Sequence, residues 1–184
     1  TFSPVDVISG SEFQNNGDTD FNNLMRNLVP SVSVNDQPIS DAASVMRPAN
    51  LRGMSPDHTL VLVNGKRRHR GSVLTWLGAY ISDGAQGPDL SAIPASALKS
   101  VEVLRDGASA QYGSDAIAGV INFNLNDSTE GGFIEYRKGQ YSEGDGDQSY
   151  VMGNYGMPFG DGFANFSYEF GNQQSTVRAV QRDD

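Results

Sequence analysis

The stretch LRDGASAQYGSDAIAGVINF, Leu104 to Phe123, decides how this chain is read. Gly107, Gly113 and Gly119 punctuate it, separating short runs that suit single helical turns. Glycine serves where a chain bends tightly or where two backbones approach closely, and both needs fit a compact module that closes on short turns. Ordinary turn chemistry accounts for the same three positions. Working outward, Pro94 and SALKS predict a helical turn ahead of a strand at VEVL. Further upstream, TLVLV, Asn64-Gly65 and KRR predict a hairpin, because Asn-Gly supplies the two positive φ angles of a type I′ turn.

The amino-terminal part continues the mixed α and β pattern. PVDVI reads as a strand, and Asp18 or Thr19 caps a helix whose apolar face is Phe21, Leu24, Met25 and Leu28. Pro30 stops that helix, SVSV is a short strand, and Asn35 to Asn50 is a loop with two prolines. A second long loop runs from Gly71 to Asp89. Around Asp127 the period changes. Ala164, Phe166, Tyr168 and Phe170 alternate with Asn165, Ser167, Glu169 and Gly171, which puts one face of a strand in an apolar medium and the other in a polar one. Phe133 to Tyr141 and Tyr150 to Met157 are weaker versions, joined by the turn SEGDGDQ. A half-exposed soluble sheet gives the same alternation.

Composition narrows the classes of function. The chain has 184 residues, 38% of them hydrophobic, enough for one domain with a modest core and an appendage. A formal charge of -9 argues against nucleic acid, since the locally basic run is KRRHR, Lys66 to Arg70, and such a run reads first as a solvated loop. Zero cysteines exclude disulfides, thiolate metal sites and cysteine nucleophiles. No apolar run approaches the roughly 20 residues that a membrane helix needs. Two histidines, His58 and His69, make neither a catalytic triad nor a metal cluster, and no cofactor or metal is expected. EGDGD, Glu143 to Asp147, lacks the twelfth-position glutamate of a calcium loop and reads as a hairpin turn.

Three segments together resemble the plug domain of TonB-dependent outer-membrane receptors. They are SPVDVISGSEFQNNGDTDFNNLMRNLVPSVSV, LRGMSPDHTLVLVNGKR and, most specific in order and spacing, SALKSVEVLRDGASAQYGSDAIAGVINF. One departure stands out: where the family commonly has glycine-proline after the arginine, this chain has Asp106-Gly107. The resemblance implies an α+β plug, a small mixed sheet with short helices over residues 1–127, followed at 128–184 by the first antiparallel strands of an outer-membrane β-barrel. Such transporters have about 22 strands, so roughly three strands by periodicity make the chain a fragment. The implied localisation is the bacterial outer membrane, with the plug reachable from the periplasm.

The implied work is transport rather than catalysis. The plug gates the barrel lumen and helps bind a scarce nutrient, such as a metal chelate, vitamin or glycan, whose import TonB energises. The segment that TonB recognises is expected upstream of Thr1. By the same resemblance Arg52 and Arg105 pair with barrel carboxylates as a latch, and Glu102 belongs to the same polar belt. Solvated surface arginines are the plain alternative. Gly53 and Gly65 join the structural glycines. The apex loops imply substrate contact through Arg47, Trp76 and Tyr80, where Trp76, Leu77, Tyr80 and Ile81 either stack on ligand or pack beneath the loop. A free-standing periplasmic binding module with a plug-like fold is the rival reading. A glycan hydrolase using Glu102 and Asp106 has little support, since their spacing gives no facing geometry.

Overall fold

The computed structural model describes residues 5–16, 21–34, 46–75, 82–105 and 108–176. The chain divides into two compact units, Thr1–Asp127 and Ser128–Asp184.

The first unit is built on a five-stranded sheet with spatial order β1-β6-β7-β4-β5. Its strands are β1 (Val5–Ser9), β4 (Thr59–Val63), β5 (Lys66–Arg67), β6 (Leu98–Leu104) and β7 (Gly119–Leu125); β2 (Val32–Val34) and β3 (Ala49–Leu51) pair separately. β4 and β7 run parallel, and the other neighbours are antiparallel. Helices α1 (Gly10–Asn15), α2 (Phe21–Leu28) and α3 (Ala108–Tyr112) complete the unit.

Alternation sorts the strand side chains into two cores. Val61, Val101, Val103, Ile121 and Phe123 pack with Phe13 of α1 and Phe21, Leu24 and Met25 of α2. The rings of Phe13, Phe21 and Phe123 form a run, with centroids 5.8 and 5.7 Å apart. Leu60, Leu62 and Val120 point the other way and pack with Ala108 of α3 and Ala116. Because both faces of β4 are covered, TLVLV reads as an unbroken apolar run instead of an alternating one.

Local chemistry sets the boundaries. The hairpin turn is as its sequence predicts, with φ of 48° at Asn64 and 73° at Gly65. At Gly119 the need for glycine is twofold: φ is +145°, and a Cβ would lie 2.3 Å from the Leu104 carbonyl oxygen on the neighbouring strand. Helix α1 was not anticipated, although its signal is present. Ser9 and Glu12 form a capping box in which the Glu12 carboxylate accepts from the Ser9 backbone N–H at 2.6 Å. Three further boundaries differ from the sequence reading. Ala49 and Asn50 belong to β3 rather than to a loop. β6 starts at Leu98, three residues before VEVL, because the Ala95–Ala97 turn is a single 3-10 turn. GVINF, the end of the stretch that opened this reading, is the middle strand of the sheet.

The second unit is an antiparallel sheet of order β10-β9-β8, with β8 (Gly131–Gly139), β9 (Gln148–Phe159) and β10 (Gly162–Gln173). The register puts Ile134 and Tyr136 of β8, Tyr155 of β9 and Phe166, Tyr168 and Phe170 of β10 on one face. All six are exposed. The opposite face carries polar groups: Asn154 bonds Asn165 and Ser167, and Arg137 pairs with Glu135. Gly153 leaves room on the aromatic face for the Tyr168 ring, whose edge would be 2.7 Å from an added Cβ.

Candidate functional site

Two arginines far apart in sequence meet beside the carboxyl end of β6. Arg52 follows β3 with φ 56°, and Gly53 after it has φ 68°. Left-handed backbone at a non-glycine residue costs roughly 1 kcal/mol and calls for an explanation. Here the turn is fixed by the Arg52 N–H donating to the Ser31 carbonyl at 2.7 Å and by Met54 N–H donating to Leu51 at 3.1 Å. The turn sends the Arg52 guanidinium to the carbonyl oxygen of Arg105, 2.7 Å from Nη1. Arg105 in turn donates through Nη2 to Asp6 Oδ1 on β1, at 2.9 Å.

The cluster is incompletely satisfied. Arg105 and Asp6 are 37% and 40% exposed at the side chain, so their pairing contributes at most about 1 kcal/mol. Arg105 Nε is buried and has no hydrogen-bond partner among the described residues. A buried donor left unpaired costs about 1–3 kcal/mol, which makes this edge of the guanidinium a place for an incoming acceptor. Asp6 was missed in the sequence, where a lone carboxylate between Val5 and Val7 in a strand is its signal.

Glu102 stands apart from this pair. It lies beside Val7 and Asn122 in the register, on the sheet face opposite to Asp6 and Val103, and accepts from Asn122 Nδ2 at 3.1 Å. A polar row continues there, Asn122 to Asn124 at 3.0 Å and Asn124 to Ser100 at 3.1 Å. Arg47 is half-buried and not free. Trp76, Tyr80 and Gly107 lie outside the described residues. Gly113 has a φ of +88°, between α3 and the turn Ser114–Ala116.

Residues 1–120 match the model of the TonB-dependent receptor plug domain. The chain belongs to that family. It is 37% identical over 105 residues to a probable TonB-dependent siderophore receptor of Acinetobacter baumannii, which covers 56% of this chain and 13% of that protein. It is 35% identical over 118 residues to the vitamin B12 transporter of Vibrio vulnificus, covering 64% and 17%. Among solved structures, the ferric enterobactin receptor of Pseudomonas aeruginosa superposes with a TM-score of 0.69 at 21% identity, over 95% of this chain and 25% of that one. At that identity the likeness shows the fold, a mixed sheet with short helices followed by antiparallel strands. The chain spans about a sixth or less of the curated relatives it matches.

Proposed function

We propose that this chain is the plug and the first barrel strands of an outer-membrane transporter that imports a bulky, scarce nutrient with energy supplied through TonB. One observation carries the reading: the unit that matches the plug family is followed by a sheet with one aromatic face and one hydrogen-bonded polar face. That is the pattern of a barrel wall between lipid and a wet lumen. Three strands leave open edges, which lipid does not tolerate, so the wall needs further strands to close. No helix among the described residues is long and apolar enough to cross a membrane.

In this reading the chain performs no chemistry on its cargo. An iron chelate of the siderophore class is the cargo we favour, since siderophore and enterobactin receptors recur among its relatives. Apex residues Arg47, Trp76 and Tyr80 meet the cargo, while Arg52 and Arg105 latch the plug to barrel carboxylates. The unpaired Nε of Arg105 supports the latch, because a carboxylate from the wall would complete its guanidinium. Glu102 then serves the polar row with Asn122 and not the arginine pair. Pull on the segment before β1 would reach Asp6 first and through it Arg105.

Uptake decides the matter. Cells whose outer membrane carries the whole receptor should accumulate radioactive iron from its ferric siderophore, and should cease to do so when TonB is deleted. Binding without TonB-dependent uptake, by a protein that ends after three strands, would favour the free-standing binding module.

A further inference from the structure

Away from the arginine pair, the first unit contains a cavity of about 120 Å³ between the start of β4, the basic run after the hairpin and the segment Gln86–Pro88. An engineered cavity of about 150 Å³ holds benzene, so this one admits a group of about five heavy atoms. Three guanidinium groups line it, Arg67, Arg68 and Arg70, against the carboxylates of Asp57 and Asp115. Both carboxylates are already engaged. Asp115 pairs with Arg67, and Asp57 accepts the Gln86 backbone N–H at 3.0 Å. Arg68 and Arg70 make no ion pair among the described residues.

We propose that the cavity binds one small oxyanion, a carboxylate or a phosphate group. Two uncommitted guanidinium forks, those of Arg68 and Arg70, match its planar or tetrahedral oxygens. The excess of positive charge is local, in a chain of formal charge -9, so the site concentrates anions where the rest of the surface repels them. The basic run that reads in sequence as a solvated loop thus forms one wall of a binding site. The anion has two possible sources, a free small molecule or an acidic side chain of the longer protein proposed above.

Titration of the 184-residue chain in detergent with inorganic phosphate at low ionic strength, followed by calorimetry and amide NMR, tests this. Saturable binding at one site is expected. Arg68→Gln and Arg70→Gln should each weaken it by about tenfold. Neither substitution should lower the melting temperature, since Arg68 and Arg70 make no ion pair among the described residues, and this separates lost binding from lost folding. Absence of saturable binding, or wild-type affinity in both arginine variants, overturns the proposal. The same titration on the whole receptor distinguishes the sources: binding there as well means a free anion, and binding by the 184-residue chain alone means that an internal carboxylate fills the site. None of these outcomes depends on whether the receptor transports iron.

Discussion

Phe123 on β7 is fully buried against Phe21, whereas Phe170 on β10 is 71% exposed, though both sit in strands of period two. The contrast extends to the units that contain them. Met152 is the one buried apolar side chain of 128–184 among the described residues, and the most exposed large apolar groups, Ile134, Phe159 and Phe170, lie in that unit, although the first unit also exposes Val5, Val7, Leu74, Tyr112 and Ile117. The first unit supplies its own apolar partners through helices on one face of its sheet and short turns on part of the other. The second presents one face of exposed aromatic side chains, the kind of surface that marks a site of interaction.

The broadest way to break that comparison is to separate the units. Residues 1–127 should be soluble and monomeric in ultracentrifugation, while the 184-residue chain should aggregate or require detergent, because its apolar face and free edges invite pairing between copies. A monodisperse 184-residue chain in plain buffer would mean that the aromatic face finds cover within the chain.

Single residues sharpen the same contrast. Phe123→Ala opens a cavity in the first core and should destabilise its unit by about 3–5 kcal/mol in denaturant titration. Phe170→Ala removes an exposed ring and should change that stability by less than about 0.5 kcal/mol while reducing aggregation. Equal losses at both positions would erase the distinction.

Much of this was legible beforehand, for identifiable reasons. Helix α2 follows from Phe21, Leu24 and Met25 at helical spacing, and the hairpin from Asn64-Gly65, since in each case the signal lies within a few residues. The strand β7 was not, although Ile121, Phe123 and Leu125 alternate with Asn122 and Asn124, because GVINF after a glycine-rich run reads as the tail of a turn. Arg52 and Arg105 were legible as a pair through family resemblance, but Asp6 was not, since its partner lies 99 residues away. The cavity beside the start of β4 was equally hidden, because its walls come from four separate segments.

The latch provides a smaller effect that differs by setting. In the 184-residue chain, Arg105→Ala removes a pair more than a third exposed and should shift stability by no more than about 1 kcal/mol. In the whole receptor it removes the group proposed to hold the plug to the wall, and passive entry of large antibiotics should rise. Wild-type impermeability in an Arg52→Ala, Arg105→Ala double variant would leave the pair with a structural role only.

The smallest expected effect lies at the margins of the first unit, where two exposed carboxylates are held below their ordinary values. Glu12 is lowered from 4.5, chiefly by the hydrogen bond from the Ser9 backbone N–H and then by the Ser9 hydroxyl. Asp127 is lowered from 3.8, chiefly by its hydrogen bond to Lys99. A carboxylate depressed in the folded state binds fewer protons there than in the unfolded chain, so its contribution is present above the ordinary value and is lost as the pH falls through the lowered one. The capping box at α1 and the tie between β6 and the end of the unit should therefore loosen in acid, while the core around Phe123 keeps its packing. Glu12→Gln removes one of the two titrations. Its melting temperature should start below wild type near neutrality, and the gap should narrow as the pH is lowered past the carboxylate range. A gap that stays constant down to strong acid would show that Glu12 caps α1 by shape alone, with no contribution from its charge.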